Sequence, residues 1–267
     1  MRLYAVAALT FALTASASLR AQSGTTWDKS YPVSGRVNLS VTTGEGGIHT
    51  TACTGCRSVT IHVDAHDQDL KDYKLEEFSS GNTVTFSLKR RDEFGGWHMS
   101  HNRSPEVYVQ TPVTTDVTLK AGSGGTELSG VNGAINITTG SGGVRIIDSA
   151  GHLQATVGSG GFSADGGFSQ FHVHTGSGSV SLRLRPDQQM DGDSTLTTGS
   201  GGVHLALPRD LHATIDATEG SGSFHSDIPM MTSGDMGHGH AVHGTLNGGG
   251  PELRIHTGSG STRIEAL

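Results

Sequence analysis

The sequence has few of the large apolar side chains that usually fill a protein core. The nine apolar residue types supply 33% of its 267 residues, and the aromatic residues supply 5%. Proline is scarce as well, with 7 residues and no Gly-X-Y period, which excludes a collagen-like triple helix. Glycine supplies 40 of the 267 residues, a fraction well above its usual share of about 7%. A thick hydrophobic core is therefore excluded. Either a flexible glycine-rich chain or a thin fold with structural glycines remains.

Basic residues are also few. Lys and Arg number 18 and Asp and Glu number 25, which gives a formal net charge of −7 with neutral histidines. Nucleic acids and anionic lipids attract proteins through a basic surface, and this composition does not supply one. We therefore expect no nucleic-acid partner.

A long apolar run occurs only at the N-terminus. The basic start Met1-Arg2 precedes the run 3–14, and small residues follow up to Ala21. This layout is typical of a secretory signal peptide over residues 1–21, with cleavage after Ala21 or, alternatively, after Ala17. The run is too short to span a bilayer permanently, and no later stretch qualifies. We expect an exported chain of the bacterial envelope (periplasmic, cell-surface or secreted) without a transmembrane segment after cleavage.

Cysteine is limited to Cys53 and Cys56, in the segment Cys-Thr-Gly-Cys. A structural zinc site needs two more ligands, and no second cysteine pair exists. A redox-active pair usually opens a helix in an α/β fold, which nothing in this sequence indicates. The favoured interpretation is a small structural disulfide that pins a turn between two strands in an oxidising compartment.

The glycines are concentrated in a repeated Gly-Ser-Gly motif. Its first four copies begin 18 residues apart, at positions 122, 140, 158 and 176. Regular self-similarity at such a period indicates a repeat fold, in which one unit is too small to bury its own apolar side. Tight corners and the close stacking of neighbouring corners both require glycine. The motif and its Gly-Glu-Gly variant predict these structural corner glycines: Gly44, Gly122, Gly140, Gly158, Gly176, Gly199, Gly220 and Gly258.

The residues around each motif alternate between apolar and polar. The segments Ile135-Asn-Ile-Thr-Thr139 and Phe171-His-Val-His-Thr175 alternate before a motif, and Val203-His-Leu-Ala-Leu207 alternates after one. A period of two predicts half-buried β-strands, which a Gly/Ser linker would not need. The sequence therefore predicts an all-β fold, namely a single-stranded parallel β-helix (β-solenoid) with coils of about 18–23 residues.

The repeat divides the mature chain into two continuous parts. Residues 22–112 are predicted to form N-terminal β-rich first coils that include a short helix and a loop. Residues 113–267 are predicted to form the regular Gly-Ser-Gly solenoid.

Three segments interrupt the regular pattern. Residues 67–77 are predicted to form the short helix, and the polar segment 90–104 is predicted to form the exposed loop. The segment 228–251 is interpreted as a loop that leaves the stack before a final coil over 252–267.

The order of these segments resembles a known bacterial family. An initial strand ends in Thr42-Thr-Gly-x-Gly-Gly47, and Val107-x-Val-x-Thr-Pro-Val113 precedes serial Thr-Gly-Ser-Gly coils. The chain closes with Gly248-Gly-Gly-Pro-Glu-Leu-x-Ile-x-Thr-Gly-Ser-Gly-Ser-x-x-Ile264. Over residues 30–267 it is similar to the provisionally named adhesin family of β-strand-repeat proteins, a domain of unknown function. The resemblance implies a parallel β-helix in an envelope or extracellular setting and implies no catalytic residue. The family pattern explains neither Cys53 and Cys56 nor the His-rich late segment.

Histidine is abundant, with 15 copies, and invites a metal hypothesis. Histidine pairs in strands or glycine-rich segments can bind Cu²⁺, Ni²⁺ or Zn²⁺. The favoured interpretation is that these histidines occupy ordinary outward positions, so we expect no metal and no cofactor. The candidate ligands are the group His238, His240 and His243, the strand set His62, Asp64 and His66, and the pair His172 and His174, with His204 and His256 elsewhere in the stack.

No motif indicates catalysis, and we expect no catalytic residue. Gly-Ser-Gly is neither a nucleophile elbow nor a phosphate loop, because no Gly-x-Ser-x-Gly occurs and no copy is followed by Lys-Ser or Lys-Thr. Glycoside hydrolysis needs two carboxylates that face one cleft. The acids of the repeat are instead scattered over corners and strands: Asp148, Asp165, Asp187, Asp191, Asp193 and Asp216.

The sequence therefore favours a non-enzymatic, exported envelope or cell-surface protein with a structural or adhesin-like binding role. Its outward rows of polar residues would offer a long, flat hydrogen-bonding surface to a glycan, to an envelope or surface protein or to a neighbouring solenoid. One alternative is a carbohydrate-active enzyme on the same scaffold, which would require a cleft with two acids about 5–10 Å apart. The other is a His-rich metal-binding envelope protein.

Overall fold

The computed structural model describes residues 24–91, 103–232 and 241–267. Within these residues it contains 21 β-strands, one 3₁₀ turn at Leu70–Asp72 and no α-helix. The predicted signal peptide, most of the predicted loop 90–104, and His238 and His240 lie outside the described residues. Strand pairing joins all the strands into one continuous sheet.

The strands are numbered in chain order. The first eleven are β1 (Thr26–Pro32), β2 (Val37–Glu45), β3 (Ile48–Cys53), β4 (Ser58–Asp64), β5 (Tyr73–Ser80), β6 (Thr83–Arg90), β7 (Glu106–Pro112), β8 (Thr115–Ser123), β9 (Thr126–Ser129), β10 (Ile135–Ser141) and β11 (Val144–Ser159). The remaining ten are β12 (Phe162–Ser177), β13 (Val180–Leu184), β14 (Ser194–Ser200), β15 (Val203–Leu207), β16 (Ala213–Ser221), β17 (Phe224–Ser226), β18 (Met231–Thr232), β19 (Ala241–Leu246), β20 (Glu252–Ser259) and β21 (Thr262–Ala266).

The parallel strands form two faces. Along the first face they lie in the order β6, β2, β8, β10, β11, β12, β14, β20 and β16. Along the second face the order is β7, β3, β9, β11, β12, β13, β15, β21 and β17. Strands β11 and β12 contribute to both faces, because each is 16 residues long and their pairing is irregular near the middle. The protein is therefore all-β, with a solenoid-like stack of parallel strands.

One narrow core lies between the two faces. Equivalent inward residues stack along it, as Ile135, Leu153 and Phe171 do in register on the first face. The buried apolar residues of both faces form a single cluster. Burying each such side chain contributes about 1.5–3 kcal/mol, so a few apolar residues per strand, repeated in every coil, are sufficient. This arrangement explains how a chain with 33% apolar residues folds.

The coils do not stack in chain order at the two ends. Strand β2 lies between β6 and β8, and β20 lies between β14 and β16. The segment 252–267 does form a coil, but this coil is inserted between two earlier ones. Both terminal coils therefore have neighbours on each side. The sequence did not predict this order, because the alternating pattern is the same in every coil and does not specify which coil is adjacent.

Antiparallel strands cover the ends of the stack. At the N-terminal end β5 pairs with β6, and β4 pairs with both β7 and β1. At the C-terminal end β19 pairs with β16 and β18. The short helix predicted over 67–77 was wrong, since only Leu70–Asp72 is a 3₁₀ turn and β5 follows it. The edge of β6 supplies hydrogen-bonding partners that make a strand the better conformation, and covering such an edge also hinders aggregation.

The corner glycines contact the backbone of the adjacent coil. A Cβ at seven of the eight predicted positions would lie closer than 3.0 Å to a carbonyl oxygen of the next coil, for example 2.6 Å at Gly199. Gly44 is the exception, with its nearest atom at 3.8 Å. At the last position of a motif, both the backbone conformation and the contact with the adjacent coil require glycine. At Gly160 φ is +148°, and a Cβ would lie 2.6 Å from the carbonyl carbon of Gly142. A side chain at these corners would therefore separate the coils.

Replacing Gly160 by alanine should destabilise the protein by at least about 2 kcal/mol, since it combines a strained φ with a backbone overlap. Gly161→Ala is the matched control, because its Cβ would meet only an ordinary contact at 3.8 Å. We expect the control to change stability by less than about 0.5 kcal/mol. Urea unfolding measures both variants, and equal stabilities would contradict the corner-stacking account.

Two tyrosines anchor the N-terminal end of the stack. Tyr31 Oη donates a hydrogen bond to Glu77, and Tyr73 Oη donates one to Glu45 Oε1 at 2.9 Å. Glu45 occupies the middle of the Gly-Glu-Gly variant and also lies 3.4 Å from Arg90 Nη1. Burial raises the pKa of both tyrosines, and the hydrogen bond of each to its glutamate raises the pKa further. The glutamate in place of serine thus has a structural role at this end.

Stability should decrease as the pH rises above about 10, the ordinary pKa of tyrosine in an unfolded chain. The folded protein holds the two phenolic protons more tightly than the unfolded chain does. Their contribution is therefore complete below about pH 10 and is lost at higher pH. Urea unfolding at about pH 9 and pH 11 measures how much the free energy of unfolding falls between these pH values. This fall should be smaller for the Tyr31→Phe, Tyr73→Phe double variant than for the parent. An identical loss in both proteins would refute this origin.

Candidate binding face

The first face has an outward surface of hydrogen-bonding side chains. We call ten outward residues of β10, β11, β12, β14 and β20, which form the two columns given below, the polar face. All of them are exposed or half-buried, and none is a carboxylate. They form two columns in register, which are Asn136, Gln154, His172, Thr195 and Arg254, and Thr138, Thr156, His174, Thr197 and His256.

The polar face is flat and has a regular spacing. Neighbouring strands of a sheet lie about 4.7–4.9 Å apart, so polar groups in each column repeat at that distance. The surface contains a shallow depression whose outward lining residues are Gln154, Thr156, His172, His174, Thr195 and Thr197. This geometry suits repeated contacts along an extended molecule better than enclosure of a small one.

The middle serines of the motif extend this surface at the adjoining corner. They are in register along the stack and exposed to solvent. The row consists of Ser123, Ser141, Ser159, Ser177, Ser200, Ser259 and Ser221.

On the second face the rings of His49, Tyr108 and His62 lie next to one another, and we call this row the aromatic and histidine ladder. The ring of Tyr108 stacks on His49 with centroids 5.0 Å apart and lies 5.9 Å from the ring of His62. His49 Nε2 is 2.9 Å from Glu106 Oε2, and His49 Nδ1 is 3.3 Å from Glu127 Oε2. The sequence reasoning missed His49 and Tyr108, although their outward positions in alternating strands were a usable signal. Their partners come from strands distant in sequence.

The ladder brings two acids together without forming the cleft that an enzyme would need. Glu106 and Glu127 approach the two nitrogens of the same histidine, so this ring occupies the space between them. The adjacent depression is lined by His49, Thr51, Thr60, His62, Tyr108, Val109 and Gln110, and neither acid lines it.

Five of the six acids that the sequence scatters over the repeat have separate local partners. The backbone N–H of Glu252 donates to Asp193 Oδ1 at 2.8 Å, which fixes that carboxylate in a corner. The other pairs are Asp148 with Arg185, Asp165 with Arg183, Asp191 with His152 and Asp216 with His243.

Some of the predicted metal ligands are instead paired with separate carboxylates. His62 Nδ1 is 2.8 Å from Asp28 Oδ1, whereas His66 Nδ1 is 3.4 Å from Asp64 Oδ2. His243 pairs with Asp216 at 3.3 Å. Across the described ranges, no three His, Cys, Asp or Glu side chains are arranged to hold a metal ion.

The two cysteines close the turn between β3 and β4. A disulfide joins Cys53, the last residue of β3, to Cys56. Cys53 Sγ also lies 3.4 Å from the carbonyl oxygen of Thr111 on β7, the neighbouring strand.

A family model described as Toastrack DUF4097 matches residues 100–265. The chain belongs to this family. Membership confirms the resemblance to a bacterial domain of unknown function that the sequence indicated. No curated protein matches the chain. Among the described residues of this Toastrack protein, no helix has the length and apolar character needed to cross a membrane.

Three solved structures show similarity at low sequence identity. A provisionally named cell adhesion protein from Clostridium sporogenes is 12% identical, with a TM-score of 0.41 and coverage of 91% of this chain and 100% of that one. A provisionally named adhesin from Bacteroides fragilis is 14% identical, with a TM-score of 0.40 and coverage of 92% and 99%. A provisionally named lipid-binding protein from Parabacteroides distasonis is 15% identical, with a TM-score of 0.41 and coverage of 91% and 97%.

Removing the ring of Tyr108 should lower stability by about 1 kcal/mol, because Tyr108→Ala eliminates its stacking on His49 and its contact with the tilted ring of His62. Tyr108→Phe keeps the ring and should stay within about 0.5 kcal/mol of the parent. Urea unfolding distinguishes the two variants. If both lost the same stability, the contribution would come from the hydroxyl group and not from ring stacking.

Proposed function

We propose that this protein is a non-enzymatic, exported β-solenoid that binds an extended glycan along its polar face. The observation that supports this most directly is the pair of polar columns on five neighbouring strands, with no carboxylate among their side chains. The strand spacing of about 4.7–4.9 Å is similar to the distance by which one pyranose sugar extends an extended glycan chain. A glycan laid across the strands can therefore offer one sugar to each pair of outward side chains.

The proposed scaffold is a single-stranded parallel β-helix with coils of about 18–23 residues, continuous from the N-terminal part (22–112) into the regular part (113–267). The register supports this coil length, since Val144 pairs with Phe162 and Phe162 pairs with Val180. The pairing of β2 with β8 supports continuity between the two parts. The corner glycines and the disulfide have structural roles in this proposal.

Export is proposed from two features. The N-terminal residues 1–21 have the layout of a secretory signal peptide. The Cys53–Cys56 disulfide is a type of bond that persists in oxidising compartments such as the periplasm and the cell exterior. The proposed location is therefore the bacterial envelope or the outside of the cell.

The absence of catalysis is also part of the proposal. Binding by many hydrogen bonds on an open surface leaves a bound sugar in contact with water and without a general acid above it. The polar face has no carboxylate among its ten side chains, and the two acids that approach the aromatic and histidine ladder of the second face, Glu106 and Glu127, both contact His49. Glycan binding without cleavage is the result expected from these arrangements.

The proposal is tested with the mature chain on a panel of envelope and plant glycans, with affinities measured by calorimetry. The double variant Thr156→Glu, Thr197→Glu places two bulky charges on the polar face and should weaken binding at least about tenfold. The matched control Ser163→Glu, Ser181→Glu adds the same charge to the second face and should bind like the parent.

Equal weakening by both double variants would locate the binding surface elsewhere. Saturable release of reducing ends from a bound glycan would overturn the non-enzymatic assignment. Binding of an envelope protein or of a second copy of the chain, with no glycan bound, would replace the glycan as the partner.

A further inference from the structure

The histidines of the polar face differ from most others in this protein. Over the residues that the structure describes, seven histidines have a ring nitrogen within 4.0 Å of a carboxylate oxygen: His49, His62, His66, His152, His204, His225 and His243. Within those same residues His172, His174 and His256 have no such partner, and all three are exposed. Their ring nitrogens can therefore contact a ligand without first losing an internal contact.

These three histidines surround a small patch of hydroxyl groups. His172 is in register with Thr195 and Arg254, and His174 is in register with Thr197 and His256. Two strands, β12 and β20, thus place nitrogen-bearing side chains on either side of the threonines of β14. Donors of N–H groups lie at the edges of the patch and hydroxyl groups lie at its centre.

The charged groups nearest the patch are already paired. Arg254 Nε and Nη2 donate to the two carboxylate oxygens of Glu252 at 2.8 and 2.6 Å. Asp193 accepts the backbone N–H of Glu252, as described above. Strand β11, on the other side of β12, contributes only neutral groups in these columns, those of Gln154 and Thr156.

The outer neighbours do not add a free charge either. Asp216 on β16 is in register with Arg254 and pairs with His243. His152, the outward residue of β11 that precedes Gln154, pairs with Asp191. Within the part of the chain that the structure describes, none of these carboxylates lies within 4.0 Å of a ring nitrogen of the three histidines.

We propose that His172, His174 and His256 bind the carboxylate groups of an acidic polysaccharide, a polyuronate, while Thr195 and Thr197 bind its sugar hydroxyl groups. This inference rests on the proposed glycan-binding function and assigns the substrate class of the same face. A polyuronate has one carboxylate on each sugar, so the sugars that lie over β12 and β20, on either side of the sugar over β14, can each present a carboxylate to a histidine. An imidazole N–H donates to a carboxylate in the neutral form, and the protonated ring adds a charge-assisted hydrogen bond.

Binding should strengthen as the pH falls. Histidine is the residue type that changes charge between about pH 5 and 8, whereas carboxylates stay ionised down to about pH 4. A polyuronate therefore keeps its negative charge over the pH range in which histidine side chains in general gain positive charge. Protonation also reduces the repulsion between an anionic ligand and a chain whose formal net charge is −7 with neutral histidines.

The test compares oligogalacturonate with a neutral gluco-oligosaccharide of equal length, by calorimetry at about pH 7.5 and pH 5.5. The parent protein should bind oligogalacturonate about tenfold more tightly at the lower pH, as expected for several exposed ion pairs. The double variant His172→Gln, His174→Gln keeps polar side chains at these two positions, but glutamine cannot be protonated. Its affinity for oligogalacturonate should change less than about twofold between the two pH values. The matched control His204→Gln, His225→Gln alters two carboxylate-paired histidines of the second face and should retain the pH response of the parent.

The outcomes separate this inference from the proposed function. Equal binding of the neutral and acidic glycans, with no response to pH, overturns the polyuronate assignment and leaves glycan binding intact. Binding of neither glycan overturns both. Preferential binding to phosphatidylglycerol vesicles over oligogalacturonate overturns the assignment in favour of an anionic lipid surface.

Discussion

The rest of the structure depends on how closely the corner backbones approach one another. At Gly140, Gly158 and Gly176 the carbonyl oxygen of the adjacent coil occupies the space where a Cβ would lie. Only glycine permits this approach, and it keeps neighbouring strands at hydrogen-bonding distance on both faces. The narrow core follows from the same constraint, because tight corners bring the two faces close together. Few large apolar side chains fit between them, which explains the composition of the chain.

Close parallel stacking also determines the surface chemistry. Because equivalent residues of successive coils are in register, one outward position in a strand becomes a column along the stack. On the second face these columns pair acids with bases, as between His49 and Glu106 or between His204 and Glu265. On the polar face the columns contain no carboxylate; Arg254 pairs with Glu252, and the amides, hydroxyl groups and histidines remain available to a ligand. The difference between the two faces is the structural basis for assigning binding to one of them.

In the part of the chain that the structure describes, the two ends of the stack are covered so that few strand edges remain unpaired. A parallel stack exposes unpaired strand edges, to which further chains can add. Here antiparallel strands such as β5 and β19 cover the edges of β6 and β16. The coils that contain β2 and β20 lie inside the stack, where each is paired on both sides. The N-terminal end is reinforced by the buried tyrosines Tyr31 and Tyr73 and their glutamate partners.

The sequence by itself determined the local features: the strands with alternating residues, the glycine corners, the absence of a thick core and the family. These follow from the period of two, from the spacing of Gly-Ser-Gly and from the steric needs of a corner, all of which are properties of short segments. Only the tertiary structure decided which coils are adjacent, because every coil has the same pattern and pairing between distant segments leaves no local signal. The insertion of β20, the strand at Tyr73–Ser80 in place of a helix, and the stacking of Tyr108 on His49 are of this kind. The contrast between His172 and His204 has the same origin, since a carboxylate partner depends on the neighbouring coil and not on the strand that contains the histidine.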